Sequence, residues 1–221
     1  MDTRRQFITL AALLLLVQFV FAGVESYELG RIHAEVQQNV EVAKKAVGAL
    51  DHVRVADARF KNQVQEWKNI LLRGDQADDL KKYVAQFEAE AKSVQNALGE
   101  LDALAPSLAH VEKAAVDRLM KSHADMLASY RKALAAGSTK LVSEARAVDA
   151  AVRGIDREFT ESLRDMASAL NEHTSVLTRK VSDDAVARLE RQQDISMIKL
   201  AIACAVIILL VVAFLAFRRQ A

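Results

Sequence analysis

The sequence has little of what sheet proteins and disulfide-stabilised proteins contain. Its 221 residues include one proline, one cysteine and seven glycines, and aromatic residues make up 5%. So few turn-forming residues argue against a sheet protein, whereas abundant Ala, Leu, Val, Glu, Lys and Arg are typical of long helices. A formal net charge of +1 gives no reason to expect nucleic acid as a partner.

Motifs for metal, haem or phosphate chemistry are also absent from the sequence. No Glu-x-x-His or Cys-x-x-Cys-His motif occurs, and no glycine-rich phosphate loop or nucleophile elbow is present. We therefore predict neither enzyme activity, nor a metal site, nor a cofactor. Cys204 lies in an apolar run and is expected to serve there as a small apolar residue. The five histidines are far apart in the sequence, at His33, His52, His110, His123 and His173.

Two apolar runs, residues 7–24 and 200–217, bracket a long polar segment. Each run has 18 residues without charge, and at about 1.5 Å per residue it is long enough to cross a hydrocarbon core of about 30 Å. Arginine pairs on the outer sides of both runs place both termini in the cytoplasm by the positive-inside rule. The predicted organisation is a cytoplasmic N-terminus (1–6), a first span (7–24), a periplasmic domain (25–194), a second span (195–217) and a cytoplasmic tail (218–221), in the bacterial inner membrane.

The first run has one alternative interpretation, a secretory signal cleaved after Ala22. The residues 20–22 resemble a small-residue cleavage site behind a positively charged start. The run is longer than the apolar part of a usual signal, and the helical pattern continues beyond it. We therefore favour a retained membrane anchor.

A seven-residue apolar repeat follows the first run and is typical of the inner stripe of a helix in a bundle. Only Asn39 and Asp57 interrupt this stripe. We interpret Trp67 as a core residue and predict one helix from the first span to a stop at Gly74, with aspartates capping the next helix. The stripe consists of Leu29, Ile32, Val36, Ala43, Ala46, Leu50, Val53, Phe60, Val64, Trp67 and Leu71.

Three further apolar stripes predict three more helices. The stripe of the second helix covers residues 80–101, and that helix is predicted to stop at the only proline. The stripe of the third covers residues 108–133, and that helix is predicted to stop at Gly137. The fourth begins near Lys140 and runs into the second span, with Gly154 as the only breaker. We predict an all-α fold, a membrane-anchored up-down-up-down four-helix bundle whose long first and last helices are continuous with two transmembrane helices.

The predicted helix lengths are unequal. Outside the membrane the first and last helices are about 72 and 80 Å long, whereas the middle pair is about 40 to 45 Å. The part nearest the membrane then has only two helices per chain, which leaves an apolar stripe uncovered. We therefore predict a parallel homodimer with coiled-coil packing.

Two blocks of sequence are distinctive. The first is residues 57–74 (DARFKNQVQEWKNILLRG), followed by Lys82-Tyr83 and Phe87, and the second comprises His123, residues 130–134 and residues 151–158. In order and spacing, these blocks resemble the sensory module of bacterial methyl-accepting chemotaxis proteins, the chemoreceptors. The resemblance implies a periplasmic four-helix sensor whose first and last helices pass signals through the inner membrane.

The resemblance leaves the signalling output open. Chemoreceptors continue after their second span into a HAMP module and a long cytoplasmic coiled coil, whereas this sequence ends at Ala221. We expect a sensor in signal transduction and chemotaxis that acts through a partner, either a chemoreceptor in a mixed dimer or another membrane protein. The alternatives are a structural or regulatory tether without a ligand, and a truncated chemoreceptor.

Counting residues down from the predicted turns brings Asp57, Ser93, His123, Arg153 and Arg157 to one height in the bundle. A buried carboxylate needs a counter-ion, so we expect Asp57 to pair with one of the two arginines. Such a layer can simply fix the helix register. The alternative is a ligand site for a small carboxylate-bearing molecule, because a guanidinium binds a carboxylate with two parallel hydrogen bonds and a histidine adds pH sensitivity.

Overall fold

The computed structural model describes residues 3–108, 111–136 and 144–220, which are almost entirely helical. No strand occurs in these ranges, so the all-α class is confirmed. The elements, in order, are α1 (Thr3–Arg73), α2 (Ala77–Leu104), a 3₁₀ turn (Ala105–Ser107), α3 (Lys113–Ala136), α4 (Ala145–Ala150) and α5 (Asp156–Gln220).

The first helix is continuous from the apolar run to Arg73, as predicted. It ends at Gly74, where a Cβ would lie 2.5 Å from the carbonyl oxygen of Ile70, so that only glycine fits without a backbone shift. The predicted aspartate cap on the next helix is wrong. The residue before α2 is Gln76, which makes no side-chain capping bond. The aspartates lie in the first turn instead, where their negative charges interact favourably with the positive end of the helix dipole.

The connection between α2 and α3 contains the proline, as predicted, but it is longer than expected. The third helix begins at Lys113 rather than near Leu108. Leu108 and Val111 are nevertheless buried, 4% and 7% exposed, so apolar residues of a non-helical connection extended the sequence pattern. The described residues do not include Gly137 and Lys140, where the third helix was predicted to end and the fourth to begin. They do not include His110 either.

The predicted fourth helix is interrupted. Its described part consists of α4 and α5, separated by a turn over residues 151–155. Gly154 adopts a φ of 79° in this turn, and its carbonyl oxygen accepts a hydrogen bond from the amide of Arg157. The left-handed conformation carries a steric penalty for residues with a Cβ and none for glycine. Glycine therefore breaks the helix here, and the prediction of a continuous fourth helix is wrong.

Replacement by alanine is expected to have opposite effects at Gly154, which has a left-handed backbone, and at Gly99, which lies in a helix. Gly154→Ala should lower the free energy of unfolding by about 1 kcal/mol because of the left-handed backbone. Gly99→Ala should raise it by about 0.5 to 1 kcal/mol, since Gly99 lies within α2 and nothing lies within 4 Å of its added Cβ. Urea titration of the full chain in mild detergent, followed by the fluorescence of Trp67, measures both. Shifts of the same sign would contradict the assignment.

The described chain divides into two compact units, residues 1–40 with 179–221 (unit 1) and residues 41–178 (unit 2). Unit 2 contains the hydrophobic core, to which all the helices contribute. Burial of these side chains away from water is the main force that holds the unit together. The largest fully buried apolar side chains are Phe87, Phe159, Ile70, Leu98, Leu101 and Leu163.

The inner stripe of α1 in unit 2 is wider than the predicted one. Ala46, Leu50, Val53, Phe60, Trp67 and Leu71 are buried as predicted. At four places the residue one position before a predicted stripe position is more deeply buried than the predicted one. Ala56 faces the core rather than Asp57, and Gln63 rather than Val64. The four residues are Ala49, Ala56, Gln63 and Ile70, each 0% exposed. A spacing of four and a spacing of three both keep residues on one helix face, so the apolar pattern alone did not separate them.

Unit 1 contains the N-terminal part of α1 and the C-terminal part of α5. Both helices include an 18-residue window apolar enough to cross a membrane, with mean hydropathies of 1.5 and 2.9, and none of either window is buried within the protein. Leu29, Val186 and Leu189 outside the apolar runs are also more than half exposed.

Candidate functional site

A cleft of about 480 Å³ opens in unit 2 where the C-terminal part of α1 meets the turn between α4 and α5. Three elements around it supply cationic side chains: Lys68 comes from α1, Arg153 from the turn, and Arg157 and Arg164 from the first turns of α5. The cleft is lined by Val64, Trp67, Lys68, Tyr130, Asp149, Val152, Arg153, Gly154, Asp156, Arg157, Thr160, Glu161 and Arg164.

The charges around the cleft are four cationic and three acidic side chains. Arg153 is partly neutralised, because its guanidinium lies 3.2 Å from the carboxylate of Asp149, one turn earlier. Arg157 makes no ion pair with any residue that the structure describes. Its guanidinium is therefore available for an incoming anion.

The inner wall of the cleft is aromatic. The rings of Trp67 and Tyr130 have centroids 4.8 Å apart, and Phe87 packs behind both of them, at 6.1 and 5.6 Å. Burial raises the pKa of Tyr130, and the carboxylates of Asp149 and Asp156 add to this effect. The phenol consequently stays protonated, as a neutral hydrogen-bonding group.

Trp67 has an unsatisfied polar atom. Its Nε1–H is buried and has no hydrogen-bond partner among the described residues. A buried donor without an acceptor costs about 1 to 3 kcal/mol, and an acceptor supplied by a ligand or by water would relieve that cost.

A second aromatic layer lies two helical turns from the first, since Phe60 and His123 each lie seven residues before Trp67 and Tyr130. Here Nε2 of His123 and Oε1 of Gln63 are 3.0 Å apart, and both side chains are 0% exposed. The histidine ring packs against Phe159 at 5.2 Å and Phe60 at 6.3 Å. Burial, followed by the positive charge of Arg131, lowers the pKa of His123 to about 4. The imidazole is therefore neutral near pH 7.

The structure separates the residues that the sequence grouped into one layer. Arg153 and Arg157 line the cleft, whereas Asp57, Ser93 and His123 do not. Asp57 is half-buried, and its carboxylate lies 2.6 Å from Nζ of Lys61. The expected pairing of Asp57 with Arg153 or Arg157 is therefore wrong, because Asp57 stands beside the core stripe and the break in the fourth helix shifts the register by which the arginines were placed.

Three residues of the cleft and the second layer were missed by the sequence reasoning: Gln63, Lys68 and Arg164. A signal existed for Arg164, because residues seven apart on a helix share a face and Arg164 is seven residues after Arg157. Gln63 carried no such signal, since its place depends on how the helices align. Within the described ranges, no three His, Cys, Asp or Glu side chains come together as a metal-ligand set.

The fold and cleft define an all-helical protein with two candidate membrane helices and a cationic, aromatic-walled cleft. The chain is 33% identical over 181 residues to the methyl-accepting chemotaxis protein CtpH of Pseudomonas aeruginosa. The match includes 80% of this chain, which spans 29% of the length of that curated relative. This similarity supports a chemoreceptor-related protein, and with the two apolar helices it is consistent with an inner-membrane protein.

No model of a known protein family matches the chain. No solved structure matches it either.

Proposed function

We propose that this chain is the sensory part of a chemoreceptor-like transmembrane protein and acts in chemotaxis signalling. In this proposal, unit 2 is a periplasmic four-helix bundle formed by α1, α2, α3 and the interrupted α4–α5 segment. The similarity to a methyl-accepting chemotaxis protein and the core shared by these helices support it. Both termini then lie in the cytoplasm, as the arginines outside the apolar runs indicate.

The proposed ligand is a small molecule with a carboxylate group, bound in the cleft. One observation carries this proposal: arginines from two elements surround a cleft whose aromatic wall contains an unsatisfied indole N–H. Arg157 would bind the carboxylate with two parallel hydrogen bonds, because its guanidinium has no competing ion pair. Trp67 would donate a hydrogen bond to a second polar atom of the ligand, and Tyr130 would contact its apolar part.

The signal is proposed to leave the cleft through α5. Arg157, Thr160 and Arg164 lie in the first turns of this helix, which continues without interruption into the second apolar run. A ligand held by these residues would shift the helix by about 1 to 2 Å, the usual scale of movement at packed helix interfaces. The output would come from chemoreceptor signalling regions, either in the same protein or in a membrane partner.

The protein is further proposed to act as a homodimer. Unit 1 contains only the two ends of the chain, and Leu29, Val186 and Leu189 are more than half exposed there. A second copy would cover such side chains with the same surface of its own, as cyclic dimers do.

Binding can be measured through Trp67, the only tryptophan of the chain. Titration of the full chain in nanodiscs with organic acids and amino acids should give a saturable change in its fluorescence for at least one compound. Arg157→Ala should weaken that binding by at least about tenfold, since a hydrogen bond to a charged group contributes about 1.5 to 3 kcal/mol. Arg153→Ala should have a smaller effect, because Asp149 already pairs with this guanidinium.

The control is Arg118→Ala, which removes an exposed arginine of α3 that does not line the cleft. This variant should bind as the unchanged protein does. Equal binding by the Arg157 and Arg118 variants would remove the cleft from consideration. Saturation by inorganic oxyanions alone would keep the site and change the ligand class, and no response to any compound would favour the tether.

A further inference from the structure

An arginine of α5 is held against the backbone of α1 in unit 1. Nη1 of Arg188 donates a hydrogen bond to the carbonyl oxygen of Ile32, at 3.1 Å, and Nη2 lies 3.4 Å from a carboxylate oxygen of Glu35. The arginine side chain is only 25% exposed. A side chain that binds both a main-chain atom and a carboxylate of the same neighbouring helix is fixed along the axis of that helix.

A second contact joins the same two helices closer to the apolar runs. Nζ of Lys199 forms an ion pair with the carboxylate of Glu25. The next residue, Leu200, begins the second apolar run, and Glu25 directly follows the first. The pair therefore lies at the edge of both candidate spans, where contact with apolar surroundings reduces screening by water.

We infer that Arg188 and Lys199 are positioning residues that hold α5 in one axial register against α1. Their partners, Glu35 and Glu25, are ten residues apart on α1, or about 15 Å along the helix, and the two basic residues are eleven apart on α5. A slide of one helical turn in either direction separates Arg188 from Ile32 and Glu35, and it separates Lys199 from Glu25. Each exposed ion pair is weak by itself, but together they distinguish one register from its neighbours. The inference does not depend on the proposed ligand.

The two directions of sliding are not equivalent. One turn towards the first apolar run would place Lys199 beside Phe21 and Ala22, and a lysine inside an apolar span is costly. One turn the other way would bring Lys199 near Glu28, which can replace Glu25 as its partner. Lys199 therefore acts as a stop in one direction and permits movement in the other.

Disulfide cross-linking of the full chain in native membranes tests the register. In a Cys204→Ser background, Leu29→Cys is combined in turn with Gln192→Cys, Ile195→Cys and Ile198→Cys. Leu29 and Ile195 each lie four residues from the Glu25–Lys199 pair, towards the contacts of Arg188, so this pair should cross-link fastest. Lys199→Glu or Arg188→Gln should lower the ratio of the 29–195 product to the neighbouring products by about fivefold, the ratio that corresponds to about 1 kcal/mol.

Exchange of the charges provides the decisive control. Glu25→Lys combined with Lys199→Glu should restore the ratio, whereas either reversal alone should not. Arg191→Gln, which removes an exposed arginine of the same helix, should leave the ratio unchanged. An unchanged ratio in the Lys199 and Arg188 variants, a uniform loss of all three products, or a double reversal that behaves as the single ones would overturn the inference.

Discussion

Replacement of Phe159 by alanine is expected to lower the free energy of unfolding by about 3 to 5 kcal/mol, which is a large part of the total stability of a domain. This ring is 0% exposed and lies between Phe60, at 4.8 Å, and His123, at 5.2 Å. Alanine would remove the apolar contacts of both neighbours and leave a cavity that they cannot fill. Urea titration of the full chain in mild detergent, followed by Trp67 fluorescence, gives the change.

The matched control is Leu72→Ala, which removes a large apolar side chain that is 72% exposed. Its effect should stay within about 0.5 kcal/mol, as for most surface substitutions. Phe159→Leu should lie between the two, because leucine keeps most of the volume. A Phe159→Ala effect no larger than that of Leu72→Ala would mean that the second aromatic layer is not packed as described.

The core of unit 2 could be predicted from the sequence only in part. The seven-residue repeat correctly placed Ala46, Val53, Phe60 and Trp67, because a residue seven positions later always returns to the same helix face. Between them the repeat gave Leu50, Asp57, Val64 and Leu71, each one position after a residue that is completely buried. The structure buries Ala56 and Gln63 more completely than Asp57 and Val64. Neighbouring helices decide which edge of the stripe is covered.

The cleft was predictable to a smaller degree. Arg153 and Arg157 were singled out from the sequence, and both line it. The partners of these arginines depend on the alignment of separate helices, and the alignment depends on Gly154. The apolar residues Val148, Val152 and Phe159 lie before, within and after the turn, and all three are buried. The apolar pattern therefore continues across the break between α4 and α5. Periodicity reports burial, and it does not distinguish a helix from a turn that is equally well packed.

The buried pair of Gln63 and His123 also has consequences for stability. Because an amide oxygen only accepts, the 3.0 Å contact requires a hydrogen on Nε2 of the histidine. Nδ1 is then the unprotonated nitrogen, and it is buried without a hydrogen-bond partner among the described residues. A proton added there would place a charge between Phe60 and Phe159 with no group to stabilise it, which is the physical reason for the lowered pKa.

Acidification is therefore expected to destabilise unit 2 through His123. Its pKa is about 4 in the folded chain and 6.5 in the unfolded one, so between these values the unfolded state binds the additional proton. Stability rises with pH wherever the unfolded state binds more protons. The contribution of His123 is thus complete above about pH 6.5 and is lost as the pH falls towards 4, by about 2 to 3 kcal/mol. Unfolding free energies measured between pH 4 and 7.5 on the full chain in detergent give this loss.

Carboxylates also titrate near the lower limit of that range, so the effect of His123 must be isolated by difference. His123→Gln keeps an amide N–H for Gln63 and removes the titrating group, and the pH dependence between 6.5 and 4.5 should become nearly flat. His33→Gln, at an exposed position of α1, is the matched control and should keep the full dependence, because it leaves His123 in place. If the His123 and His33 variants lose stability equally over this range, the buried imidazole is not the group that titrates.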